Sequence, residues 1–135
     1  MKKYVEKYFT DTLHINLPKK TFKERNSFEK RSQESHNIIL KYPDRIPIIC
    51  EKWGNDQEMP IIDRKKYLVP NDLGVNQFIY IIRRRMKLKP EKSLYIFINN
   101  SIIPHTGGCI SEYYHKYKDD DGFLYITYSG ENTFG

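Results

Sequence analysis

VNQFIYIIRRRM, residues 75–86, is the stretch on which the fold turns. Val75, Phe78, Ile79, Ile82 and Met86 recur at i, i+3, i+4, i+7 and i+11, the spacing of one apolar helical stripe. Upstream, the runs at 46–51 (IPIICE) and 65–69 (KKYLV) read as two short strands joined by a loop over 54–60. They predict an antiparallel pair. Pro47 has no N–H to give a ladder, so it demotes one side of the first strand. Downstream, LYIFI (94–98) and FLYITY (123–128) are continuously apolar and read as buried central strands. A hairpin, a helix crossing one face and two more strands describe a β-grasp sheet of the α+β class, with the crossover helix supplying a parallel neighbour.

The flanks complete the order. Ser27 is a good N-cap with Lys30, not Glu, three residues on, which makes half a capping box. From Phe28, apolar residues recur at Ile38, Ile39 and Tyr42 with small Ser35 between, all on one helical face, and Pro43 ends that helix. After Gly107-Gly108, the spacing of Ile110, Tyr113, Tyr114 and Tyr117 predicts another short amphipathic helix. Asp119 to Asp121 with Gly122 reads as a solvated turn before the last strand. Residues 1–20 have no convincing period and read as an arm. The expected division is an arm over 1–20, a domain over 21–128 and a tail over 129–135.

Composition narrows the function classes. The 135 residues include 11 tyrosines and 7 phenylalanines, too much apolar mass for a disordered chain. No apolar run approaches the roughly 18 residues of a membrane span, and the charged opening does not resemble a secretory signal. A soluble, intracellular domain is expected. Two distant cysteines without Cys-x-x-Cys or paired-histidine spacing argue against a zinc site. Cys50 reads as a buried small hydrophobe. Cys109 follows His105 in HTGGC, a pairing that in principle activates a thiolate, but no feature supplies the orienting third group. His14, His36 and His115 are scattered surface or half-buried side chains. The net charge of +6 is concentrated at the front: residues 1–45 hold 11 Lys/Arg against 6 Asp/Glu. That predicts an acidic partner. No nucleic-acid motif accompanies the basic runs, and nucleic acid is not expected.

Four strings carry the reading further: KYPDRIP (41–47), DRKKYLVP (63–70), FIYIIRRRM (78–86) and YKDDDGFLYITYSGENTFG (117–135). Together, in this order and spacing, they resemble the autophagy ubiquitin-like modifiers, the yeast autophagy-eight protein and its animal light-chain and GABA-receptor-associated relatives. The resemblance spans about residues 20–135. It implies a ubiquitin-like β-grasp, a four-stranded mixed sheet with two additional N-terminal helices. It also implies a modifier, not an enzyme, with no cofactor. Its terminal glycine, here Gly135, would be activated by a ubiquitin-like activating enzyme, passed to a conjugating enzyme and amide-linked to phosphatidylethanolamine. A cysteine protease would process precursors and reverse the linkage. The implied location is cytoplasmic, moving to the autophagosome membrane on lipidation, with vacuole or lysosome as a further compartment.

The resemblance implies a second activity, docking of receptors that carry aromatic-x-x-aliphatic peptides on the edge of the 65–69 strand. Carried over by position, the aromatic pocket comprises Glu34, Ile38, Pro47, Lys66, Leu68 and Phe123. The aliphatic pocket comprises Tyr67, Val69, Pro70, Leu73, Phe78 and Ile81. Strand alternation puts Tyr67 and Val69 on the face opposite Lys66 and Leu68. Arg45, Lys65 and Lys66 would attract acidic residues flanking such peptides. Arg83 and its two neighbours match a stretch used towards the processing and conjugation machinery, although cations at a helix C-terminus also complement the macrodipole. Tyr95 and Phe97 resemble positions on a second partner face. The chain departs from the family's pattern at its long start, at Asn76, where Gly or Ser is usual, and at HTGGC. An unconjugated β-grasp adaptor is the alternative function.

Overall fold

Thr21 and Glu24 begin the first helix by capping one another. The Thr21 hydroxyl accepts the Glu24 N–H at 3.2 Å and the Glu24 carboxylate accepts the Thr21 N–H at 3.0 Å, a complete capping box. The computed structural model describes residues 20–54 and 59–131. Its elements are α1 (Phe22–Arg25), α2 (Phe28–Lys41), β1 (Arg45–Lys52), β2 (Lys66–Pro70), α3 (Val75–Met86), β3 (Tyr95–Ile98), α4 (Ile110–Tyr117) and β4 (Leu124–Ser129). The expected arm over 1–20 lies, but for Lys20, outside the described residues.

The sheet order is β2-β1-β4-β3, with β1 antiparallel to β2, parallel to β4, and β4 antiparallel to β3. This is the four-stranded mixed sheet expected from the hairpin and crossover. Two details differ. First, β1 is an inner strand despite Pro47. The Cys50 N–H donates to Lys65 O at 2.7 Å, so by alternation the even positions of β1 bond β2 and Pro47 faces the β4 side. Pairing with β4 starts only at Ile48, opposite Leu124, so the missing proline N–H breaks no ladder bond. Second, β3 is an edge strand, not a central one. Its continuous apolarity has another cause. Ile96 and Ile98 join the core beneath α3, while Phe97, on the opposite face, lies 6.0 Å from the Trp53 ring.

The stripe of α3 supplies the main core. Val75, Phe78 and Ile82 are fully buried and Met86 nearly so, against Ile46, Ile48 and Cys50 of β1 and Leu124, Ile126 and Tyr128 of β4. Each such large side chain contributes about 1.5–3 kcal/mol over its exposed state. Cys50 is inert packing, its thiol pushed up by burial and the nearby Glu51 charge. The other face of the sheet carries a smaller core of Phe22, Ile49 and Phe123, with Ile38 and Tyr125 against it. The helix from Phe28 forms as expected, with the Ser27 hydroxyl accepting the Lys30 N–H, but its buried face begins later. Phe28 is 50% exposed and lies under the Arg31 guanidinium instead.

The turn expected to be solvated is the most polar buried point of the described residues. The Asp121 side chain has no exposed surface. It accepts Arg31 Nη1 at 2.6 Å, the Phe123 N–H at 2.8 Å and the Tyr125 hydroxyl. The Ser35 hydroxyl donates to the Asp121 carbonyl, which is why this helical position is small. Gly122 follows at φ +96, and a Cβ there would collide with the Ser35 hydroxyl. Beside it, Lys23 of α1 pairs with Asp119 at 2.5 Å. Burial pushes the Asp119 carboxyl up, but the Lys23 bond and the Asp121 N–H outweigh it and hold it below the usual range. Two N-terminal helices are thus fastened to one turn.

Breaking a buried ion pair by neutralising one partner costs about 3–5 kcal/mol. Asp121→Asn keeps shape and some hydrogen bonding, so a loss near 3 kcal/mol in urea unfolding is expected; a loss below 1 kcal/mol would contradict this placement. The depressed Asp119 stabilises the fold above its unfolded pKa of about 3.9, and that contribution disappears as pH falls through its lower folded value. Lys23→Met should flatten this acid limb of the stability curve.

Candidate functional site at the outer edge of β2

Among the described residues β2 pairs with β1 alone, and they leave one of its edges open. The register decides which groups it offers. Cys50 bonds Lys65, and every second pair of an antiparallel ladder exchanges hydrogen bonds. Ile48 with Tyr67 and Ile46 with Val69 are therefore bonded inward. Lys66 and Leu68 are left with their N–H and C=O pointing outward, two residues apart. An extended peptide needs that spacing to add as a further strand.

Side chains divide to the two faces. Tyr67 and Val69 pack on the α3 side, where Tyr67 meets Phe78 edge to face at 5.7 Å and Val69 is 5% exposed. Lys66 lies on the α1–α2 side, 5.3 Å from the Phe22 ring and 2.8 Å from Glu34. Leu68 shares that side by alternation, paired with buried Pro47. Phe123 is 1% exposed beneath Phe22, whose ring stands 5.6 Å away in a T-shaped arrangement. Of the expected aromatic-pocket residues, Lys66, Glu34, Leu68 and Ile38 present surface, while Pro47 and Phe123 form a floor. Phe22 covers that floor. Of the expected aliphatic-pocket residues, Leu73 and Ile81 are half-buried and Phe78 is wholly core, whereas Pro70 is exposed and falls by alternation on the side of Lys66 and Leu68, at the end of β2. The Tyr67 hydroxyl is buried with no hydrogen-bond partner among the described residues, and desolvation pushes its ionisation up.

The expected basic contacts differ in availability. Arg45 lies over the Tyr42 ring at 5.1 Å and is exposed. Lys65 reaches Glu51 at 3.4 Å. Arg83 is committed elsewhere: its guanidinium donates to Lys92 O at 2.8 Å and Lys89 O at 2.9 Å, holding the loop after α3. Arg85 pairs with Asp63 at 3.2 Å. Tyr95 is half-buried and Phe97 buried. Gly135 lies outside the described residues.

Cys109 and His105 are not assembled as a catalytic pair. The Cys109 sulfur lies 3.4 Å from Asn71 O and 3.5 Å from Leu73 O, at the head of α4, and accepts the Ser111 hydroxyl. His105 Nδ1 accepts the Gly107 N–H. These bonds join the loop before α3 to the start of α4, where Val75 N–H also donates to Gly108 O. Among the described residues no cluster of metal-binding side chains occurs, and no helix is long and apolar enough to cross a membrane.

A parallel β1–β4 core, an α3 crossover and an N-terminal helical layer over an open β2 edge define the architecture. A sequence profile described as "Autophagy protein Atg8 ubiquitin like" matches residues 30–135. The chain belongs to the Atg8 family. Similar proteins include autophagy-related protein 8 of Schizosaccharomyces pombe, 59% identical over 114 residues, covering 84% of this chain and 93% of that protein. Autophagy-related protein 8e of Arabidopsis thaliana is also 59% identical, over 84% of this chain and 92% of its own length. That of Mycosarcoma maydis is 56% identical, over 84% and 95%. As an Atg8-family member the chain is a ubiquitin-like modifier of autophagy.

Three residues at this Atg8-family site escape pattern reading. Phe22 covers the aromatic side, although the Thr21-x-x-Glu24 box was the available sign of its helix. Glu51 accepts the Phe22 N–H at 3.0 Å and so fixes α1. Asp121 sits in an acidic run that has no periodicity to distinguish it. The split between core and surface residues gives a prediction. Phe78→Ala should cost about 3–5 kcal/mol of stability, as for other buried aromatics, while half-buried Ile81→Ala costs under half of that in the same urea titration. Equal losses would place both in the core.

Proposed function

We propose that this chain acts through two separate parts: a tail conjugated at Gly135 to phosphatidylethanolamine, and a β2 edge that docks aromatic-x-x-aliphatic peptides of autophagy receptors. The observation that carries the docking half is the pair of outward-facing backbone positions, Lys66 and Leu68, flanked by an apolar floor on each face of the sheet. In an added strand, residues three apart point to opposite faces, because alternation reverses the side at every step. An aromatic residue entering on the Phe22 side therefore puts an aliphatic residue three positions later on the Tyr67 side. Leu68 lies between them. The Lys66–Glu34 pair stands at the aromatic entrance and must part, exchanging one exposed ion pair of about 0–1 kcal/mol for contact with the peptide. Arg45 and Lys65 would favour acidic flanks, mainly through the rate of encounter.

The tail half rests on chemistry. A carboxylate must be adenylated, passed to enzyme thiols and then attacked by the lipid amine, each time inside a narrow cleft of another protein. Glycine, without a Cβ, lets its carbonyl approach such clefts closely. Activating and conjugating enzymes, and a cysteine protease for processing and reversal, are the implied partners. The protein would be cytoplasmic until lipidated and then held at autophagosomal membranes, with vacuole or lysosome as the further destination.

Both halves are testable. With activating and conjugating enzymes and ATP, the chain should transfer to phosphatidylethanolamine liposomes and Gly135→Ala should not; no transfer by the wild type would leave an unconjugated peptide adaptor. Leu68→Ala should weaken an aromatic-x-x-aliphatic peptide by roughly 1–3 kcal/mol in calorimetry. Unchanged affinity would move the docking site off this edge.

A further inference from the structure

The far margin of the sheet, on β3, is also unfinished. The Asn99 N–H donates to Tyr125 O at 3.1 Å, so the odd positions of β3 bond inward to β4 while the even ones, Ile96 and Ile98, point out. Leu94, two residues before Ile96, continues the outward set. The chain begins to cover this margin itself. Asn99 and Asn100 both take the left-handed region, at φ 51 and 62, and the turn they make folds the chain back on β3. The Ile98 N–H then donates to Ile102 O at 2.7 Å, and the Ile102 N–H to Ile98 O at 2.9 Å. The next bonded position, opposite Ile96, falls to Pro104, which has no N–H to give. The return strand ends after one pair. Among the described residues, the outward N–H and C=O groups of Leu94 and Ile96 bond nothing.

We infer that this margin pairs with its counterpart in a second copy of the chain, antiparallel about a two-fold axis through Tyr95. Leu94 of each copy then bonds Ile96 of the other, and every outward group left open is satisfied. The margin is matched to itself. Its open positions lie evenly on either side of Tyr95, so a two-fold leaves none unpaired. Residues 94–98 (LYIFI) carry no charge, whereas β2 presents Lys66 at its open edge, and charge is what keeps edge strands apart. Beyond the pair, the register directs Lys92 towards Ile98 and Glu91 towards Asn99 of the other copy, so no like charges face one another. The turn in which the Lys92 N–H donates to Lys89 O ends just before, and the pairing stays confined to 94–96, clear of the slot that Ile102 fills. Tyr95, half-buried on the α1–α2 side, meets its own copy at a non-bonded pair, where side chains stand closest.

Pairing joins two four-stranded sheets into one of eight, with a β2 edge at each end. Seven steps of about 4.8 Å set those edges roughly 34 Å apart. On the reading of β2 as a peptide-docking edge, and this consequence alone rests on it, the dimer engages a partner carrying two such motifs through both ends at once. Three residues per copy bury well under the roughly 1,200 Å² of a stable interface, so the dissociation constant is on the order of 0.1–1 mM.

The test is sedimentation equilibrium of the full chain together with amide hydrogen exchange. At about 1 mM at least half of the protomers should be paired, raising the weight-average mass at least 1.5-fold over the 16.2 kDa monomer. Exchange of the Leu94 and Ile96 amides should slow as concentration rises, while that of Lys66 and Leu68 stays constant. Tyr95→Lys sets two like charges against each other on the axis and should weaken association at least tenfold. Leu94→Pro removes an outward donor that makes no bond to β4, and should do the same without loss of the β3–β4 ladder. A chain that remains monomeric at about 1 mM leaves the margin to an extended segment of another protein and overturns the proposal. Protection that appears at Lys66 and Leu68 instead, or association that survives both variants, overturns it equally. The exchange measurement on the unsubstituted chain decides even where a variant fails to fold. Peptide calorimetry judges the β2 reading separately: a dimer without peptide affinity removes that reading, and affinity without a dimer removes this one.

Discussion

A single buried carboxylate, Asp121, holds the molecule's two layers together. The α3 side of the sheet is a conventional apolar core that needs no polar help. The α1–α2 side is small, with Phe22, Ile49 and Phe123 as its fully buried members, and so little apolar area secures two helices weakly. Asp121 supplements it by accepting from Arg31 of α2, from Tyr125 of β4 and from its own Phe123 N–H. A network with every member satisfied strengthens in low dielectric, whereas one missing partner leaves a charge stranded. The same turn lets Lys23 reach Asp119 and leaves room for Ser35 beside Gly122. At this turn polar bonds and shape together hold the helical layer, beside the Glu51 bond to the Phe22 N–H and the Lys66–Glu34 pair.

That layer gives the β2 edge its function. An open edge strand on a one-faced sheet would offer backbone groups and a single set of side-chain contacts. With α3 beneath one face and α1–α2 over the other, the edge runs between two apolar floors, Phe78 with Tyr67 and Phe22 with Phe123. Strand alternation then turns a three-residue peptide spacing into contact with both. The Lys66–Glu34 pair stands beside the Phe22 ring and also controls the hazard of an open edge, since a charged residue there discourages pairing with a second copy.

Much of this was legible in the sequence where burial follows a period. The α3 stripe, the β1–β2 pair and the opposite faces of Tyr67 and Lys66 all follow from spacings of 3.6 and 2. Apolarity alone misplaced β3, because an edge strand covered on both faces reads like a central one. Pro47 misled in the other direction, since only the register shows that its missing N–H faces a place where β4 has not yet begun. The acidic turn was the larger miss. Asp119 to Asp121 has the composition of a solvated loop, and nothing local reveals that Arg31, 90 positions earlier, will arrive to pair with Asp121. Phe22 was hidden by the shortness of its helix, too brief for any period. Arg83, read for its charge, proved to act through its fork of donors on two loop carbonyls.

The most direct test is peptide calorimetry combined with native-state hydrogen exchange on an Arg31→Leu variant. If the Asp121 network holds the helical layer in place, exchange should rise in α1 and α2 while α3 stays protected, and affinity for an aromatic-x-x-aliphatic peptide should fall at least tenfold, about 1.4 kcal/mol. Wild-type affinity in a variant whose N-terminal helices exchange freely would contradict the account.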